Sequence, residues 1–165
     1  MKLGSRLLVG ALAGIAGTMA MTSAMRRLHR RLPERDRYPL PPREIVDAAT
    51  ERPPDEAAKD VTLLAHFAYG AGCGALLGAL NPRMGRASGA AAGGAIWLAS
   101  YMGWIPALGL LKPASEHPAR RNALMIAVHF VWGASTAAAM RELTQARETA
   151  FGAGDDRDAV NPRGG

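Results

Sequence analysis

Four stretches of this chain, residues 7–25, 61–82, 87–111 and 122–140, contain no Asp, Glu, Lys or Arg. All 20 basic and 14 acidic side chains fall outside them. Each stretch is close to the roughly 20 residues that a helix rising about 1.5 Å per residue needs to cross a bilayer core. An overall charged content of 21% would suit a water-soluble domain, but segregation this complete excludes one. In hydrocarbon an unpaired peptide group costs several kcal/mol, so each block must satisfy its own backbone as a helix unless the chain closes a barrel. A barrel needs strands of about ten residues with alternating polarity. Runs such as Leu7-Leu8-Val9 and Leu124-Met125-Ile126 do not alternate. The expectation is an all-α integral membrane bundle of four transmembrane helices, at about 7–25, 61–80, 87–111 and 122–140, within a domain of residues 1–142. Cys73 is the single cysteine and lies inside an apolar block, which excludes a disulfide framework.

Lys2 and Arg6 before the first block resemble the start of a secretory signal, but Arg26, Arg27, Arg30 and Arg31 follow it at once. Such a basic cluster resists translocation and holds the segment in the membrane. Four spans put both termini and the turn Asn81-Pro82-Arg83-Met84-Gly85-Arg86 on one side, and residues 26–60 and 112–121 on the other. The two loops hold twelve basic residues against eight on the opposite side, so the positive-inside rule places the loops in the cytoplasm. The short turn makes the second and third helices neighbours. The net charge of +6 is accounted for by topology and headgroups, and a nucleic-acid partner is not expected.

Between the spans, Pro33, Pro39, Pro41, Pro42, Pro53 and Pro54 rule out a long helix. A short helix over 43–51, with Ile45, Val46 and Ala49 on one face, is expected to lie on the bilayer surface. Residues 143–165, rich in Gly, Asp and Arg towards the end, read as a disordered tail.

Lipid tails are as apolar as leucine, so membrane helices associate where small residues let backbones approach. Glycines at four-residue spacing mark every span: Gly10 and Gly14; Gly70, Gly74 and Gly78; Gly85, Gly89 and Gly93; and Gly133 followed by Ala137. The run His66-Phe67-Ala68-Tyr69-Gly70-Ala71-Gly72 also matches His129-Phe130-Val131-Trp132-Gly133-Ala134-Ser135, and Gly10–Gly14 aligns loosely with Gly89–Gly93. Two duplicated hairpins in parallel orientation, related by a pseudo-two-fold axis along the membrane normal, would produce both matches.

The repeat sets His66 and His129 at similar depth, about 7 and 10 Å from the loop side. Intramembrane ionisable groups are costly and mark candidate functional sites. Each imidazole could bond the other, or Thr18, Thr22, Tyr69 or Tyr101. Three uses are open: a neutral interhelical hydrogen bond, a proton-responsive or conducting site, or a bis-histidine haem or metal site. No acidic or cysteine ligand completes a metal set, and no cofactor is expected. At the loop side, Glu116 and His117 could pair as acid and base, with Arg43 and Glu44 facing them from the other loop. The more ordinary reading has Arg120 and Arg121 anchoring the fourth helix at the headgroups, with Glu116 offsetting them and Asn122 opening the span. Nucleophile-elbow, phosphate-loop and zinc-protease motifs are all missing, so an enzyme is not expected.

The segments Leu40-Pro41-Pro42-Arg43-Glu44-Ile45, His66-Phe67-Ala68-Tyr69-Gly70, the run from Trp97 to Gly109, and Glu116-His117-Pro118-Ala119-Arg120-Arg121-Asn122 resemble the YagU-like family of small bacterial inner-membrane proteins. The resemblance covers about residues 5–140. It implies a multi-pass protein of the bacterial plasma membrane with an unassigned biochemical role, and it brings no catalytic residues. The expected function is therefore non-enzymatic, through helix packing with a second copy or a membrane partner.

Overall fold

The computed structural model describes residues 1–50 and 54–154. These residues form six α-helices and no strand: α1 (Leu3–His29), α2 (Pro41–Ala49), α3 (Asp55–Leu80), α4 (Arg86–Ala99), α5 (Ile105–Ala107) and α6 (Ala119–Thr149). Three of them, α1, α3 and α6, are long and apolar enough to cross a membrane. Their two faces separate at helical spacing. On α1, Val9, Ala13, Met21 and Met25 are buried while Leu8, Leu12 and Met19 are exposed, an outward apolar belt that water would penalise and lipid does not.

The block expected as one span over 87–111 is interrupted. α4 ends after 14 residues and continues as a π-turn over Ser100–Trp104, in which Gly103 leaves helical geometry (φ −115°, ψ −106°). Pro106 lacks an amide proton and its ring opposes the carbonyl of Met102, so a regular helix cannot run through this point. α5 then stops in a Schellman motif: Gly109 takes φ +70°, its N–H bonds the Pro106 carbonyl at 3.0 Å, and Leu110 N–H bonds the Ile105 carbonyl at 3.2 Å. Residues 108–111 therefore lie beyond the helix.

Three extensive interfaces join the three long helices and α4: α1 with α3, α1 with α6, and α4 with α6. α3 and α4 do not pack along one another, contrary to the expectation from their short turn. The reason lies in the glycines. A Cβ on Gly74 would sit 2.6 Å from the Gly14 Cα, and one on Gly78 2.8 Å from the Gly10 Cα. The seam of α3 is thus filled by α1. Likewise a Cβ on Gly89 would sit 2.6 Å from the Ala137 Cβ, so the seam of α4 is filled by α6. Each small-residue face accommodates one partner, and α3 and α4 have none left for each other. Gly85 belongs to no seam; it is the N-cap of α4 and nothing lies near it.

The carbonyl of Gly70 abuts Gly14 as the carbonyl of Gly133 abuts Gly89. The two antiparallel hairpins thus share a registration, offset by one turn from the alignment of Gly10–Gly14 on Gly89–Gly93. A two-fold axis would also require α3 and α4 to pack as α1 and α6 do, and that interface is missing.

Two extramembrane expectations change as well. α2 starts at Pro41, two residues earlier than the helix expected over 43–51, whose Glu51 lies outside the described residues. Instead of presenting its apolar face to lipid, α2 packs on α3, with Val46 buried at 5% exposure. α6 carries its helix to Thr149, well into the segment expected as a disordered tail. Here Thr144 is buried, and Arg83 of the short turn pairs with Glu148 at 3.2 Å. Residues 155–165 of that tail lie outside the described residues. At the same end Arg6 donates to the Gly78 and Leu80 carbonyls at 3.3 and 3.1 Å, placing a cation on the C-terminal carbonyls of α3.

Candidate functional site

The missing α3–α4 interface leaves a cavity of about 310 Å³ among α1, α3, α4 and α6, capped on the loop side by Pro42, Ile45 and Val46 of α2. Its walls are chiefly apolar, and both His66 and His129 line it. His129 is 8% exposed, and its Nδ1 lies 2.7 Å from the Met125 carbonyl one turn earlier on α6. A carbonyl only accepts, so Nδ1 carries the proton, and in the neutral form of such a ring Nε2 is an acceptor. The Tyr101 ring meets the His129 ring edge-on at 6.2 Å and stacks on Trp97 at 6.0 Å.

His66 is only half-buried, but its Nε2 is buried and has no hydrogen-bond partner among the described residues. The imidazoles share a cavity without bonding each other. None of the hydroxyls considered for them bonds either ring. Thr18 donates to the Gly14 carbonyl at 2.8 Å and accepts from Trp132 Nε1 at 3.1 Å, a bridge between α1 and α6. Thr22 donates to the Thr18 carbonyl at 2.7 Å. Tyr69 bonds Ser100 Oγ at 2.9 Å and lies against Trp104 at 6.0 Å, joining α3 to the π-turn across the gap. His66 also walls a second space of about 290 Å³ towards the loop side, with Thr22, Thr62, Arg43 and Lys59 around it.

Sequence reasoning missed Ser100, Trp104 and Trp132 as site residues. Trp132 was visible as the aromatic of the second repeat motif. Ser100 had no signal, because its place depends on the π-turn.

The loop-side cluster divides in two. Arg121 is not a headgroup anchor: it is 1% exposed, its Nη1 and Nη2 donate to the Tyr38 and Pro39 carbonyls at 3.0 and 2.9 Å, and Nη2 lies 3.2 Å from Glu44 Oε2. The Tyr38 ring lies 3.5 Å beneath its guanidinium, a close cation–π contact. Arg121 thereby locks the segment before α2 onto the start of α6. Burial pushes the Glu44 carboxyl above the usual glutamate range, against the opposing pull of Arg121 and His117. Arg120 is exposed. Glu116 and His117 do not form an acid–base pair: Glu116 lies 3.5 Å from Lys112 Nζ, while His117 Nε2 meets the Lys112 carbonyl at 3.0 Å. Asn122 donates to the Ala114 carbonyl at 2.6 Å. Arg43 bridges Asp47 and Asp55, each at 2.8 Å, and those carboxylates hold its guanidinium pKa above the ordinary value.

No protein-family model, curated protein or solved structure matches this chain. Among the described residues no group of three or more metal-ligating side chains gathers. An apolar chamber with a few convergent polar groups is instead the usual form of a small-molecule site.

Proposed function

We propose that this chain is a four-span protein of the bacterial inner membrane, as its resemblance to the YagU-like family implies, and that it works without catalysis by taking a small molecule into the cavity beneath α2. The observation that carries this reading is the chamber among the spans, where two imidazoles stand in a chiefly apolar wall. A bundle whose only task is self-association has no use for an open chamber, since voids forfeit packing energy. The reading replaces pure helix packing as the main role, while a second copy or a membrane protein remains a compatible partner.

Support for the fourth span comes from length and surface. The run from Arg86 to Ala107 is helical apart from Gly103, which corresponds to about 30 Å at helical rise. Leu98, Met102 and Leu108 are exposed along it. The excess of basic residues in the loops favours a cytoplasmic position for α2 and residues 112–121.

The test is purification in mild detergent followed by organic extraction and mass spectrometry. A single small molecule recovered near one equivalent supports the reading. Ligand-free protein that takes up no small amphiphile on titration overturns it. A proton-responsive role is the second reading, favoured by the open Nε2 of His129. Under it, replacing His66 and His129 with leucine preserves the fold and abolishes a pH-dependent response in reconstituted vesicles.

A further inference from the structure

We infer that the occupant of the cavity is an uncharged amphiphile with a hydroxyl head, a membrane alcohol, entering from lipid between α3 and α4. The inference rests on the binding reading above and adds the chemistry of the ligand. Three features carry it.

First, no Asp, Glu, Lys or Arg lines the chamber. An ionised head would be buried without a counter-charge, and desolvation makes that prohibitive. Carboxylates, phosphates and ammonium groups are therefore excluded as heads. Second, His129 has committed its Nδ1–H to the Met125 carbonyl, so its Nε2 needs a donor. An ester or ketone head cannot supply one, whereas an O–H can. His66 belongs to the same wall, but its Nε2 is enclosed and has no partner among the described residues, so the head is assigned to His129. Third, α2 closes the chamber on the loop side, while α3 and α4 do not pack along each other. The open direction is the lipid-facing one, so an apolar tail can lie between those helices while the head reaches His129.

Tryptophan provides the readout, because Trp104 and Trp132 line the chamber. The experiment titrates detergent-solubilised protein with three chain-brominated probes of equal length: dodecanol, dodecanoate at a pH where it is ionised, and dodecyltrimethylammonium. The expected result is saturable quenching by the alcohol at concentrations about tenfold below those needed for either ion, the discrimination that one buried hydrogen bond and an uncompensated charge together supply. His129→Phe should weaken the alcohol about tenfold, and His129→Gln, which keeps an acceptor, should restore part of that loss. If all three probes quench alike and saturably, or if a folded His129→Phe does not weaken the alcohol, the hydroxyl assignment fails and cavity binding stands. If no probe saturates, cavity binding itself fails. Should His129→Phe not fold, the comparison among probes on the unmodified protein decides alone.

Discussion

Arg121 shows how one side chain can hold an irregular segment in place. It links the Tyr38 and Pro39 carbonyls and Glu44 to the first turn of α6, and losing it strands two carbonyls and a carboxylate. Arg121→Met should cost about 3 kcal/mol in denaturant unfolding, the scale of breaking a buried ionic network. Arg121→Lys should recover little, since an ammonium lacks the planar fork and the stacking on Tyr38. Glu44→Gln should cost less than Arg121→Met, about 1.5 kcal/mol, because the guanidinium loses its counter-charge but keeps the Tyr38 and Pro39 carbonyls. The sign with pH follows from burial of that carboxyl. A carboxyl whose pKa is raised by folding stabilises the fold while protonated, and that contribution is lost as pH rises from the ordinary glutamate range through the raised value. Melting in detergent against pH should show this decline in the unmodified protein and a flatter profile in Glu44→Gln. None of this was legible in the chain, where Arg121 stands beside Arg120 in an ordinary juxtamembrane pair. Burial of one and exposure of the other depend on Tyr38, 83 residues away in sequence.

At the scale of elements the glycine seams were legible and their partners were not. Spacing alone identifies Gly10, Gly14, Gly70 and Gly74 as contact positions, since nothing else permits backbone approach in lipid. Which seam meets which depends on three-dimensional competition for faces, and the short turn between α3 and α4 gave the wrong neighbour. The seams yield a contrast within one helix. Gly74→Ala places a methyl against the backbone of α1 and should destabilise by about 2 kcal/mol, as overpacking does. Gly72→Ala, with nothing near its added methyl, should stay within about 0.5 kcal/mol of the parent. Equal effects in a unfolding assay would mean that α1 and α3 are not in van der Waals register. The π-turn was equally hidden. The charge-free stretch runs straight across Gly103 and Pro106 and reads as one span, whereas only the break there brings Ser100 to Tyr69.

For the whole molecule, the charge-free blocks conveyed the class of fold at once, because the cost of an unpaired peptide group in hydrocarbon leaves a chain few choices. The order α3–α1–α6–α4, and the cavity it opens, could not be read from them. Under the four-span arrangement proposed above, Arg83 and Ser115 lie on opposite faces of the membrane. In a Cys73→Ser background, Arg83→Cys should react with an impermeant maleimide added outside intact cells, and Ser115→Cys should react only after the membrane is opened. Labelling of both from outside would overturn the four-span arrangement, and reversed labelling would overturn the orientation alone.

The central position of α6 also bears on biogenesis. α1 leaves the ribosome before α6, yet one of its two packed faces is completed only by that later helix. Until α6 arrives, Thr18 lacks Trp132, and α4 has no seam partner. Chains stopped before α6 should be degraded by membrane proteases faster than chains that include it, a difference that pulse–chase labelling measures.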